Sequence, residues 1–170
     1  MNERRILHAH FHLGPDHPPG TYEQLLVLAE DITPRVQAIP PDAAHLDITG
    51  ALRYWNRDAQ GLAALLRLRT LALYGVQTTC AIAPNRMLAS MAAAVTPPGA
   101  TTVIEQEQVD RWLRPQPVTA LHGVGPATAT KLRTYGLHTI GDIADTPCAH
   151  PGPALRHRRR PRSSHPRPRP

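Results

Sequence analysis

Apolar and polar residues alternate from Ile6 to Leu13 (Ile-Leu-His-Ala-His-Phe-His-Leu), the period of a strand with two unlike faces. That spacing puts His8, His10 and His12 on one face and Leu7, Ala9, Phe11 and Leu13 on the other. Beyond a Pro-rich loop the period lengthens. Tyr22, Leu25, Leu26, Ala29 and Ile32 form a helical stripe, with Thr21 as its predicted N-cap and Gln24 as capping-box partner. Arg35 to Ile39 and Ala43 to Thr49 read as two further strands, the second stopping at Gly50. Asp58 caps a predicted helix running to about Tyr74, with Leu62, Leu65, Leu66 and Leu73 inward and Gly75 just past its end. Val76 to Ala83 is a β-branched strand, and Pro84-Asn85 opens an Ala-rich helix. Pro97-Pro98-Gly99 turns, Thr101 to Ile104 is a last strand, and Glu105 to Leu113 a short helix.

Strands alternating with amphipathic helices predict an α/β (α+β) layer, one sheet covered by helices. Pro115 and Pro117 mark a joint into a smaller all-helical module. Within it, Gly123-Val124-Gly125-Pro126 sets a tight turn with proline at the first helical position. Ala127, Ala129, Leu132 and Tyr135 follow, and Gly136 supplies a left-handed stop. Thr139-Ile140-Gly141-Asp142-Ile143 starts one more helix. Glycine exposes the backbone N–H groups at a helix start, which suits a phosphate. The reading is a helix-hairpin-helix that grips the nucleic-acid backbone without reading bases, through Gly123, Val124, Gly125, Ala127, Thr128 and Lys131. The plainer alternative is an ordinary αα-hairpin. The division expected is a sheet domain over 1–114, the hairpin module over 115–146 and a disordered Pro/Arg-rich tail over 147–170.

Charge follows that division. The chain carries 19 Lys and Arg against 13 Asp and Glu, a net +6. Seven of those arginines lie between Arg156 and Pro170, where there is no acid, so residues 1–155 hold 12 basic and 13 acidic side chains, a net of −1. The basic character belongs to the tail, which either adds nonspecific phosphate attraction or reflects a shifted reading frame. Cys80 and Cys148 stand far apart behind a non-secretory start, and the apolar run Leu62 to Tyr74 is broken by Arg67 and Arg69. A reduced, cytoplasmic protein with no membrane partner is the expectation.

Three stretches carry a family resemblance. Pro40-Pro41-Asp42-Ala43-Ala44-His45-Leu46-Asp47-Ile48-Thr49-Gly50 resembles the palm strand of the Y-family (translesion) DNA polymerases, which typically reads Ser-x-Asp-Glu-Ala-Phe-Leu-Asp-x-Thr-Gly. Ala83-Pro84-Asn85-Arg86-Met87-Leu88-Ala89-Ser90-Met91-Ala92 is similar to that family's Asn-Lys-x-Leu-Ala-Lys-x-Ala helix. Residues 117–142 resemble its thumb hairpin, and the likeness extends over residues 5 to about 146. It implies a palm fold, DNA as partner and Mg²⁺ held by an Asp on the first strand and an Asp-Glu pair on the palm hairpin. Here His10 stands where the first Asp belongs, and Ala43 where the Glu belongs. Asp42 alone matches. The Lys that approaches the triphosphate falls at Ser90, with Arg86 one turn earlier. The short link before Thr21 leaves no room for a fingers subdomain.

One carboxylate does not fix two Mg²⁺ ions, and imidazole suits softer metals. Losing that electrostatic clamp costs at least roughly 10³-fold in rate. The resemblance therefore implies a catalytically silent relative, like the inactive polymerase-like subunits of bacterial mutagenesis complexes. It would bind DNA and other translesion or replication proteins in damage tolerance. Three readings compete. The first is a residual DNA-directed DNA polymerase using Asp42, the only case in which Mg²⁺ enters as cofactor. The second is a metal hydrolase built on His8, His10 and His12, with His17, His45 and Asp47 nearby. The third is a decayed remnant. Asp47 is expected to be structural, Arg67 and Arg69 a solvated edge, and Trp55 and Trp112 packing anchors.

Overall fold

The computed structural model describes residues 3–121 and 123–147. The disorder expected of the tail beyond Pro147 lies outside them. Five strands form one sheet: β1 (Ile6–Phe11), β2 (Val36–Ile39), β3 (Ala43–Asp47), β4 (Thr78–Ala83) and β5 (Thr101–Val103). Their order is β2-β3-β1-β4-β5, antiparallel throughout except for the parallel β4–β5 pair. The central strand β1 is thus the one whose alternation is strongest in sequence. It passes to α1 (Thr21–Glu30) through residues 12–20 alone.

On one face of the sheet lie α1 and α3 (Ala59–Tyr74). Leu7, Ala9 and Phe11 of β1, Ala44 and Leu46 of β3, and Cys80 and Ile82 of β4 pack there against Leu25, Leu28, Leu62 and Leu66, all buried. On the other face α4 (Arg86–Val95) lies across β1 and β4. Its Leu88, Ala89 and Ala92 meet Ile6, Ala81, Ala83 and Ile104, and the small side chains let the helix sit close to the sheet. Asp58 accepts from the Gly61 amide and Asn85 from the Leu88 amide, so both helices start on side-chain caps. Gly75 ends α3 at φ +66, the left-handed conformation that glycine tolerates.

The structure departs from the periodicity in several places. The N-cap of α1 is Gly20 at φ +87, because the Thr21 hydroxyl turns back to donate to the Pro18 carbonyl and forms no cap. Along α3 the buried positions are Leu62, Ala63, Leu66 and Thr70, whereas Leu73 is 67% exposed. Thr70 is tolerated inside because its hydroxyl bonds both the Arg67 carbonyl and the Thr78 hydroxyl. The one-and-a-half-turn helix α2 (Ala51–Trp55) has no counterpart in the sequence reading. Residues 106–113 break into a 3-10 turn (Gln106–Gln108) and α5 (Val109–Leu113).

The last segment consists of a 3-10 turn (Val118–Ala120), α6 (Pro126–Thr134) and α7 (Ile140–Asp145). The first predicted helix of the hairpin is therefore a single 3-10 turn, since Pro115 and Pro117 leave too few amide donors upstream to extend it. Val118 is fully buried, and its amide bonds the His138 carbonyl. The Ile140 and Gly141 amides donate to the Gln116 and Arg114 carbonyls. A side chain at Gly141 would meet the Arg114 carbonyl at 3.1 Å, so glycine is what lets α7 close on this strand-like stretch.

Candidate functional site

The strand alternation brings the polar residues of β1 and β3 together on the α4 face. His10 lies opposite Ala43 in the β1–β3 register, and His8 opposite His45. At the open end of that face His10 Nε2 stands 3.4 Å from the Asp42 carboxylate, both side chains about two-fifths exposed. His10, Asp42 and Ala43 are thus adjacent, and together they bring one carboxylate. The His12 ring stacks obliquely on His10 at 4.7 Å and shares a hydrogen bond of 2.7 Å with the Thr79 hydroxyl.

Deeper in, His8 Nδ1 lies 3.0 Å from His45 Nε2, and Ser90 Oγ caps the pair at 2.9 Å from His45 and 3.3 Å from His8. Ser90 faces this imidazole pair and not the His10–Asp42 end. Burial, with the neighbouring His45 and His10, holds the His8 imidazole down at about 4, against a small opposing pull from Asp42. Burial, then the Arg86 guanidinium, pushes His45 below the ordinary histidine range. Burial followed by His10 does the same for His12.

His8, His10 and His12, the last just past the end of β1, therefore take different polar partners, His45, Asp42 and Thr79, although the His10 and His12 rings stay in contact. Among the described residues no three His, Cys, Asp or Glu side chains are grouped so as to hold a metal ion. One carboxylate beside one imidazole does not fit a pair of Mg²⁺ ions, which demand several oxygen donors at octahedral geometry. His17 turns away to bond the Gly14 amide.

Asp47 points to the same face but is structural. It accepts from the Thr49 hydroxyl and amide and pairs with Arg4 at 3.5 Å and Arg35 at 3.9 Å. Burial opposes ionisation there, and the Thr49 hydrogen bonds with the two arginines outweigh it and hold the carboxyl below its usual range. Trp55 packs against the main core and donates to the Ile32 carbonyl, and Trp112 packs on the α4 side. Arg67 and Arg69 are not merely solvated: Arg67 donates to the Thr101 hydroxyl and Arg69 lies over the Trp55 ring.

The α6 end has a different character. Gly123 adopts φ +88 and Gly125 is extended, and a side chain at either would meet open space. Ala127, Thr128 and Lys131 are exposed, while Ala129 anchors the helix inward. The start of α6 carries no side-chain cap, and Pro126 brings no N–H, so the Ala127 and Thr128 amides have no capping acceptor. Among the described residues no helix is long and apolar enough to cross a membrane.

Comparison with known proteins agrees with this geometry. Residues 21–94 match the impB/mucB/samB family. The chain is 33% identical over 121 residues to DNA polymerase IV of Oceanobacillus iheyensis, an overlap covering 71% of this chain and 28% of that protein. It is 34% identical over 128 residues to DNA polymerase IV of Moorella thermoacetica, covering 73% and 31%. The chain thus spans about a third of the length of these curated relatives. Among solved structures, a DinB family error-prone DNA polymerase from Sulfolobus solfataricus superposes with a TM-score of 0.71 at 15% identity, covering 84% of this chain and 60% of that one. An insertion ternary complex of Dbh DNA polymerase superposes at 0.69 with 22% identity, covering 75% and 37%. These likenesses establish a shared fold.

Proposed function

This chain is a relative of the Y-family DNA polymerases of the DinB and DNA polymerase IV kind, and from that premise we propose that it binds DNA in damage tolerance without synthesising it. The observation that carries the reading is the contrast between its two ends. At one, His10 and Ala43 leave Asp42 as the sole carboxylate of the acidic site. At the other, a glycine turn and the uncapped amides of α6 remain open to a phosphate.

Residues 117–142 act in this reading as a helix-hairpin-helix. The Ala127 and Thr128 amides in the first turn of α6 contact a phosphodiester, and the Thr128 and Lys131 side chains flank it. Such contacts position a protein on DNA and carry no base sequence. The short connection over residues 12–20 supports the silent reading, because it inserts no layer to cover a nucleotide. A residual polymerase working through Asp42 would need ligands from elsewhere.

Two measurements test the reading. With primed template, four deoxynucleotides and Mg²⁺, the purified chain is expected to extend no primer; extension abolished by Asp42→Ala would overturn the silent assignment. For binding, the full chain should hold primed duplex in a salt-dependent manner. Gly125→Asp combined with Lys131→Glu sets two negative charges against the phosphate, and affinity should fall at least tenfold while the thermal melt is unchanged. Equal affinity in the double variant assigns binding elsewhere, the Arg-rich 156–170 stretch first.

A further inference from the structure

His8 and His45 are far apart in sequence yet stand directly opposite each other on antiparallel β1 and β3, with both side chains on the α4 face. Directly opposed positions of an antiparallel pair hold their Cβ atoms about 4.5–5.5 Å apart, within reach of a common point for two imidazoles. The rings meet at 70° with centroids 4.9 Å apart, and α4 sets Ser90 Oγ against both nitrogens. The three donor atoms form a triangle with sides of 2.9, 3.0 and 3.3 Å. Tetrahedral coordination at Zn–N of about 2.0–2.1 Å places neighbouring donors about 3.3 Å apart, so the triangle already has nearly the size of one face of such a site.

We infer that His8 Nδ1 and His45 Nε2, with Ser90 Oγ as a weak third donor, chelate a borderline divalent cation such as Zn²⁺ or Cu²⁺, tying β1, β3 and α4 together. The site is separate from the His10–Asp42 end and of the opposite chemistry. Magnesium prefers oxygen donors, whereas imidazole selects zinc and copper. A cavity of about 540 Å³, lined by His45, Ser90, Arg86 and Met87, gives an entry path and room for water to complete the coordination. One of the two facing nitrogens carries the proton of their shared hydrogen bond, and that proton moves to the far nitrogen of its ring, or to solvent, when both bind the cation. The Arg86 charge opposes a dication in the same cavity, which sets the affinity below that of a dedicated structural zinc site.

Equilibrium dialysis of the full chain against Zn²⁺, Cu²⁺ and Mg²⁺ tests the assignment independently of any DNA-binding or polymerase readout. Histidines of the 148–170 segment contribute background, so the variants are read as differences from the parent. His45→Gln should lose one equivalent of Cu²⁺ and Zn²⁺, His10→Ala/His12→Ala should keep it, and Arg86→Ala should bind at least severalfold tighter. Ser90→Cys replaces a single atom and supplies a thiolate. Its Zn²⁺ affinity should rise at least tenfold, and with Co²⁺ it should show a thiolate-to-cobalt charge-transfer band. Unchanged stoichiometry in His45→Gln, or a cysteine variant without that band, overturns the site. Should His45→Gln fail to fold, the cysteine variant decides alone.

Discussion

The two faces of the central sheet are built from the same five strands and obey different rules. Toward α1 and α3 the strands present Leu7, Ala9, Phe11, Leu46 and Ile82, and nearly every side chain is buried and apolar. Toward α4 they present His8, His10, His12, His45 and Thr79 beside a thinner apolar cluster of alanines. A strand that alternates separates packing from chemistry, because successive side chains point to opposite faces. Carboxylates can thus be exchanged for histidine and alanine on one face without any change in the core on the other. The fold shared with the DinB family polymerase rests on the apolar face, and the opposite face carries histidines beside Asp42.

That contrast can be broken most forcefully from the core side. Phe11 is fully buried, and Phe11→Ala should cost about 3–5 kcal/mol in urea unfolding. Its neighbour His12 faces the other way, held by Thr79, and His12→Ala should cost about 1 kcal/mol, the worth of an ordinary hydrogen bond. Similar losses at the two positions would refute the division of labour between the faces.

A second test uses pH. The folded His8 titrates at about 4, against about 6.5 in the unfolded chain. The unfolded state therefore binds more protons between these values, and stability rises with pH through that window. It is fully present above pH 6.5 and is lost progressively as the pH falls toward 4, by up to about 3 kcal/mol for this group. Urea melts at pH 7 and pH 5 should show the loss, and His8→Gln should flatten the dependence. A parent protein equally stable at both pH values would contradict the buried, neutral state of the pair.

An effect as small as that at His12 concerns how α4 is seated over the histidine face. Asn85 caps the helix by accepting from the Leu88 amide, and Asn85→Ala should cost about 1 kcal/mol in the same melts. A loss within error would mean that Ala-to-sheet packing alone positions Ser90 over the histidines.

Much of this architecture was legible in the sequence. The alternation from Ile6 to Leu13 identified both the central strand and its histidine face, and Asp58, Asn85, Gly75 and Gly136 marked helix ends where the structure has them. The misses share a cause. Ala51–Trp55 is too short to display a helical period, and Thr21 looked like a cap until its hydroxyl found Pro18. Thr70 displaced leucine as a buried residue because Thr78, on another element, satisfied its hydroxyl. The alternation of Ala43, His45 and Asp47 against Ala44, Leu46 and Ile48 signalled that His45 shares a face with Asp47. Nothing local signalled that it would meet His8.

The amino-acid sequence by itself determined the strand and helix periods and the polar face of β1, because each is a property of neighbouring residues along one segment. Only the tertiary structure decided that Asp42 pairs with His10, that His12 turns to Thr79, and that His8, His45 and Ser90 converge. Those meetings depend on strand register and on how α4 crosses the sheet, and both are set by packing between residues remote in the chain.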